Sequence, residues 1–151
     1  MSEIHESLTV LCPFDQVPKA AEAYIASLPV EDGKSTVALR LTVGDLIVER
    51  RADLKLSHSR DYPGFAVMEI DWNPHGGGPY PIFAGKLCAE EVSGNFCRLD
   101  LDGAYIPPFG IAGAAFDAVL GHQIALAVAR QLLDEIKIGI EFAFQTGLTI
   151  A

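Results

Sequence analysis

From Thr36 to Tyr105 the chain alternates apolar and polar residues in runs parted by turn signals, the period-two pattern of strands with one buried face. In Thr36–Val43 the apolar set is Val37, Leu39, Leu41 and Val43. Gly44-Asp45 marks a tight turn, and Leu46–His58 follows with Val48, Arg50, Ala52, Leu54 and Leu56 on one face. Asp61-Tyr62-Pro63-Gly64 turns the chain into Phe65–Trp72, where Ala66, Met68, Ile70 and Trp72 point inward and Glu69 and Asp71 outward. Asn73–Pro79 reads as a glycine-rich loop. Two further strands, Pro81–Val92 and Phe96–Tyr105, are joined through Ser93-Gly94-Asn95. One more precedes them all at Glu6–Phe14.

The period changes to a helical one twice. Val17, Ala21, Tyr24, Ile25 and Leu28 share a face, Asp15 suits the N-cap, Pro18 the first turn, and Pro29 the stop. Later, Ala114 to Phe144 runs without proline for about thirty residues, which as one helix spans ~45 Å. Arg130, Asp134, Lys137 and Glu141, spaced by four, three and four, give that helix a wet face. His122 sits in the middle of another face, with Leu126, Ala129, Leu133, Ile136 and Ile140. Roughly opposite lies a second apolar stripe of Phe116, Leu120, Ile124, Ala127, Ile138 and Phe142. A helix apolar on two sides is buried on two sides. Either the short helix and loops cover the outer stripe, or a second copy does, as a homodimer through the outer face of the C-terminal helix.

The sum is an α+β fold: a curved antiparallel sheet of six or seven strands, a short helical segment after the first strand, and a long C-terminal helix over the apolar face. A bent sheet and a straight helix cannot touch along their whole length, so a cavity is expected between them. Residues 1–151 fit a single domain, with 145–151 expected as a flexible tail.

Composition narrows the classes of partner. Half of the residues are hydrophobic, which argues against disorder. The net charge of −9 and the scattering of basic residues, Arg50-Arg51 apart, argue against nucleic acid. No leader segment and no uninterrupted apolar run of ~18–20 residues is present, so no stable membrane insertion is expected. The three cysteines, Cys12, Cys88 and Cys97, are odd in number and far apart. They read as thiols of a reducing compartment, and the chain as a cytoplasmic protein.

The segment Leu99-Asp-Leu-Asp-Gly-Ala-Tyr105-Ile-Pro-Pro-Phe-Gly110-Ile-Ala-Gly113, leading through Asp117 to Gln131-Leu132-Leu133, resembles the START-like (SRPBCC) superfamily. It is similar to the Tyr-x-Pro-Pro-x-Gly-x-x-Gly-x-x-x-Asp pattern that precedes the terminal helix in several bacterial members. Pro107 and Pro108 force an extended exit from the last strand, and Gly110 and Gly113 allow close approach to the sheet. The resemblance implies the helix-grip fold of Bet v 1-type proteins, polyketide cyclases and START domains. It also implies a cavity for hydrophobic ligands such as lipids, sterols or polyketides. A minority of members are cyclases or hydrolases whose catalytic residues differ among subfamilies, and no such motif matches here.

Other signatures of chemistry are missing. There is no phosphate loop, no Gly-x-Ser-x-Gly, no His-Glu-x-x-His and no paired cysteines, so neither a cofactor nor a metal is expected. His122 is either a polar group aimed into the cavity, where it would orient a ligand or move a proton, or a histidine held by a structural hydrogen bond. Arg50 either meets a ligand carboxylate or, after a one-residue register slip, lies in water. Met68, Trp72 and Tyr105 from the sheet and Leu126, Ala129 and Leu133 from the helix complete the expected ligand-binding set. The pairs Glu69/Asp71 and Asp100/Asp102 are assigned to a solvated outer face. The expected function is the binding or carrying of a hydrophobic small molecule or lipid, without catalysis. Two alternatives stand beside it: a polyketide cyclase/aromatase-like enzyme using His122 and Arg50, and a protein-interaction module with a collapsed cavity.

Overall fold

A computed structural model describes residues 2–43, 46–76, 82–106 and 118–147. Seven strands form one antiparallel sheet: β1 (Ser2–Val10), β2 (Val30–Glu31), β3 (Lys34–Val43), β4 (Leu46–Tyr62), β5 (Phe65–Pro74), β6 (Ile82–Glu91) and β7 (Cys97–Ile106). Their spatial order is β1-β7-β6-β5-β4-β3-β2, so β2 to β7 form a meander and β1 closes against its last strand. A 3-10 turn (Phe14–Gln16) and helix α1 (Val17–Ser27) follow β1, and α2 (Ala118–Thr146) is the long C-terminal helix. This is the helix-grip α+β architecture that the periodicities predict.

Curvature comes largely from β4, which at 17 residues would extend roughly 55 Å if straight. Its register against β5 shifts between His58 and Arg60, a bulge that bends the strand and increases its twist. Glycines help too. Gly85 and Gly103 are cross-strand partners on the inner face, and a Cβ on either would come within 3 Å of the Phe83 ring. The ring therefore lies flat over the pair, where any larger residue would push it off.

Several boundaries differ from the expectation, each for a backbone reason. β1 begins at Ser2 and ends at Val10, because pairing with Cys97–Tyr105 carries it past the alternating stretch and buries Ile4. Phe14 belongs to the 3-10 turn, and Gln16 rather than Asp15 is the N-cap of α1, with no side-chain cap bond. Val30 and Glu31 pair with Ser35 and Lys34, so a two-residue strand precedes β3 that the pattern does not predict. β4 runs on to Tyr62 and β5 to Pro74, where a proline is tolerated because the strand ends. The Pro107–Asp117 approach to α2, the Gly44-Asp45 turn and the tail beyond Gly147 lie outside the described residues.

α2 lays Ala125, Val128, Ala129, Leu132, Leu133, Ile136, Ile140 and Ala143 onto the sheet and α1, all buried. α1 answers with Val17, Ala20, Ala21 and Tyr24. The two helices cross at Gly139, where a Cβ would sit 2.0 Å from the Tyr24 ring. Polar ties fix α2 along the β1 edge: Arg130 Nε donates to Glu6 at 2.9 Å, and the Leu11 N–H donates to Glu141 at 2.7 Å. α1 thus covers part of the outer side of α2, yet Ile138 and Phe142 remain about 60% exposed. Of the predicted outer stripe, Ala127 packs against the core, while Phe116, Leu120 and Ile124 lie outside the described side chains. No helix among the described residues is long and apolar enough to cross a membrane.

Candidate functional site

The antiparallel register sets one transverse row of inward residues across four strands. Tyr105 pairs with Phe83, Phe83 with Trp72, and Trp72 with Leu54. Each faces inward because its strand has even parity with its neighbours in the core. Trp72 stacks on Phe83 with ring centroids 4.0 Å apart and planes 10° from parallel, an arrangement that binds rings beyond their burial alone. All four residues are buried.

At one end of the row stands His122, in the first turns of α2. The Tyr105 hydroxyl and His122 Nδ1 are 3.1 Å apart, and the rings are tilted toward one another. Helical spacing places His122 on the face of Ala125, Ala129 and Leu133, but the residue is exposed. It therefore does not lie among the buried residues of that face, of which Ala125 is the first whose burial is described. Chemically the pair joins an imidazole open to solvent with a phenol buried in the row, an arrangement able to pass a proton between the two.

At the other end the row opens. β3 pairs with β4 from Thr36 onward, but Lys34 and Ser35 pair with β2 instead, so the start of β3 departs from β4. A cavity of about 800 Å³ occupies this gap, within the range of small-molecule sites. Its apolar lining is Ile25, Leu54, Leu56 and Pro74; its polar lining includes Lys34, Ser35, Asp53, Lys55, Asp71 and Asn73. The wall thus mixes inward leucines with charged residues of the opposite parity.

A charged cluster borders the same opening. His75 Nδ1 is 2.5 Å from Asp53, and its Nε2 is 3.4 Å from both Glu31 and Asp32. Lys34 reaches Asp53 at 3.8 Å and Arg51 pairs with Glu31. The His75 N–H donates to the Arg51 carbonyl at 2.8 Å. One histidine therefore ties the β2–β3 hairpin, β4 and the end of β5 together. No group of metal-ligating side chains with suitable geometry occurs among the described residues.

The eight predicted ligand-binding residues fall into three places. Trp72 and Tyr105 share the row, with His122 bonded to Tyr105. Met68, Ala129 and Leu133 are buried in the packed core and Leu126 partly so, away from the cavity. Arg50 pairs with Leu39 in the predicted register, but its side chain lies outside the described residues, as does Tyr80. None of the seven others lines the cavity described. Of the acids assigned to a solvated outer face, Glu69 is exposed and Asp102 pairs with His5, whereas Asp100 is half-buried and accepts from Arg98, and Asp71 lines the cavity. Sequence reasoning missed the cavity, whose wall draws on residues of several predicted elements, and His75, which sat in the predicted Asn73–Pro79 loop. The signal was topological: β3 pairs with the first half of β4, up to Asp53, and β5 with the second half, from Ala52, so the start of β3 and the end of β5 meet beside the middle of β4.

Three buried polar atoms have no hydrogen-bond partner among the described residues: Trp72 Nε1, Tyr24 Oη and Gln131 Oε1. Leaving such a group unpaired costs about 1–3 kcal/mol. Burial, with Glu135 nearby, raises the Tyr24 phenol well above its ordinary range. Burial likewise pushes the Cys12 thiol up to about 12 and Cys97 to about 11.

No protein-family model matches the chain, and no curated protein matches it in sequence. Solved structures do. A conserved protein from Geobacillus kaustophilus is 12% identical with a TM-score of 0.55, covering 94% of this chain and 97% of its own. TTHA0849 from Thermus thermophilus is 11% identical with a TM-score of 0.51, covering 94% and 99%. The Zhui aromatase/cyclase from Streptomyces sp. R1128 is 13% identical with a TM-score of 0.51, covering 94% of each chain. The likeness is one of fold: an antiparallel sheet gripping a long C-terminal helix.

Proposed function

We propose that the chain binds or carries an apolar small molecule or lipid that also bears a polar group, in the cavity beside β3, β4 and β5. The observation that carries this reading is the cavity itself: about 800 Å³, with Ile25, Leu54 and Leu56 for an apolar body and Lys34, Lys55 and Asn73 for a polar end. Such a mixed wall is how small-molecule sites combine affinity with orientation. A collapsed interior would have no room for such a ligand. The ordinary free thiols fit a protein working in the cytoplasm. Organic extraction and native mass spectrometry of the purified protein are expected to yield a bound apolar molecule. Leu56→Trp, which obstructs the apolar part of the cavity, is expected to weaken uptake of fluorescent fatty acids strongly while leaving the circular dichroism spectrum intact. Undiminished uptake in that variant, or no uptake by the parent protein, would overturn the reading.

A cyclase-like enzyme is the second reading, favoured by the Tyr105–His122 contact and by the shared fold of an aromatase/cyclase. His122 would then take and return the proton of an enolising substrate, with Tyr105 holding its ring. Turnover of a linear polyketide analogue that survives unchanged in His122→Ala would remove it. A homodimer through Ile138 and Phe142 is also in keeping with their exposure. Light scattering should then give twice the chain mass, and Phe142→Glu the single mass.

A further inference from the structure

We infer that the β2–β3 hairpin, residues 30–35, is a lid on the cavity latched by His75: the doubly protonated ring holds it shut and the neutral ring releases it. The inference rests on the cavity reading above and concerns access to that site.

The hairpin is a wall of the cavity with little apolar packing to hold it there. Gly33, Lys34 and Ser35 line the space, yet none of residues 30–35 is buried and Val30 is 66% exposed. β2 pairs with β3 alone. Segments with few buried apolar contacts are the ones that open locally. This one moves as a unit, because Asp32 and Gly33 at its tip both take positive φ, as a tight two-residue turn requires. Its hinge is the base. Thr36 is 2% exposed and pairs with Asp53 of β4, and it gives both its N–H and its hydroxyl to the Pro29 carbonyl, at 2.8 and 3.3 Å.

Beyond that hinge the ties are ionic. Among the described residues, Glu31 pairs with Arg51, Lys34 with Asp53 at 3.8 Å, and Glu31 and Asp32 with His75 at 3.4 Å each. His75 is the centre of this set, with Asp53 on its other ring nitrogen at 2.5 Å. A neutral imidazole has one N–H for two acidic sides, whereas the imidazolium donates to both. Asp53 from β4, Glu31 from β2 and Asp32 from the hairpin tip all favour the charged ring, and Lys34 and Arg51 compete with it for them. When the proton leaves and the remaining N–H stays with Asp53, Nε2 turns a lone pair toward two carboxylates, and the latch is undone.

The test is stopped-flow binding of N-phenyl-1-naphthylamine, an uncharged probe that fluoresces in apolar surroundings, to the full chain. Weaker binding by Leu56→Trp places the probe in the cavity. A lid that must open for both entry and exit sets both rates, so unlatching raises association and dissociation together and leaves Kd nearly fixed. The double variant Glu31→Gln/Asp32→Asn is expected to raise each rate about fivefold, the scale of partly exposed ion pairs. In the parent protein both rates should climb from pH ~5 to ~8, while His75→Arg, which keeps a cation there, should stay slow throughout. Asp32→Asn alone, at a side chain 86% exposed, repeats the test should the double variant fail to fold. If the probe binds in the cavity and these changes leave both rates alone, or raise dissociation only, the hairpin is a fixed wall: the lid is wrong and the cavity reading stands. If the probe does not bind the parent protein, or binds Leu56→Trp equally well, both fall together.

Discussion

The two sides of the transverse row are built from the same strand geometry and end differently. Toward β6 and β7 the row is closed: Phe83 is fully buried, laid over two glycines, with Trp72 stacked on it and Tyr105 beside it. Toward β3 the row opens, because Lys34 and Ser35 leave β4 for β2 and the wall passes from leucine to lysine and aspartate. The difference teaches that the cavity is made by strand departure at the sheet edge, while the centre of the sheet is packed against α2. The largest effect expected follows from this contrast. Phe83→Ala should cost about 3–5 kcal/mol in urea unfolding, since no neighbour can fill the space over the glycines. Leu56→Ala, at the partly buried edge, should cost only about 1 kcal/mol, because it enlarges a space that is already open. Equal losses in the two variants would mean that both sides are packed alike.

The helix crossing sharpens the comparison from the other face. Gly139 admits the Tyr24 ring, and an alanine there would put its methyl carbon 2.0 Å from a ring atom. Gly139→Ala gains helix propensity but must push α1 away from α2, so a net loss of about 2 kcal/mol is expected. Ile25 lines the cavity and follows Tyr24 in α1, so the same shift should change probe binding as well as stability. A variant as stable as the parent would show that α1 moves freely over α2.

His75 tests the open side alone. It joins the β2–β3 hairpin to β4 and β5 through Asp53, Glu31 and Asp32. His75→Ala should lower global stability by about 1 kcal/mol, in keeping with a partly exposed cluster. Its main effect should be local: amide exchange at Thr36, whose N–H donates to the Pro29 carbonyl at 2.8 Å, should speed up well before exchange in β6 and β7. Uniform acceleration across the sheet would instead make His75 part of the global core.

Much of this architecture was legible in the residue pattern, and the limits are physical. The inward sets of β4 and β5, from Ala52 to Leu56 and from Ala66 to Trp72, follow from strict alternation, since one buried face forces a period of two. The helix face of Ala129, Leu133 and Ile136 follows from its period in the same way. The cavity wall does not, because Lys34, Asp53 and Asn73 are polar and look solvated until strand pairing brings the start of β3 and the end of β5 to the middle of β4. His122 shows a subtler limit. Periodicity gives the face of a helix but not which positions along it are buried: His122 is exposed and Ala125, on the same face, is buried. The Tyr105–His122 contact, across 17 residues, depends on how the start of α2 is placed over the end of β7, which no local pattern encodes.

The smallest effect expected lies on the far side of the sheet from both regions. His5 and Asp102 are cross-strand partners of β1 and β7 on the outer face, and their side chains are bonded to each other. The hydrogen bond to Asp102, followed by its charge, raises the His5 imidazole above its ordinary value of 6.5. A histidine raised on folding stabilises the native state below its unfolded pKa, and that contribution fades as pH climbs through the folded one. Both side chains are more than half exposed, 63% and 54%, so solvent screens the pair and unfolding curves should scarcely register it. NMR titration should still find the His5 midpoint above 6.5 and returning toward it in Asp102→Asn. Because the pair lies outside the row, that variant should leave the Trp72 indole resonance unmoved. A shift there would mean that the outer strand pair and the aromatic row are mechanically coupled through β7, and that the closed side of the sheet is less rigid than its packing implies.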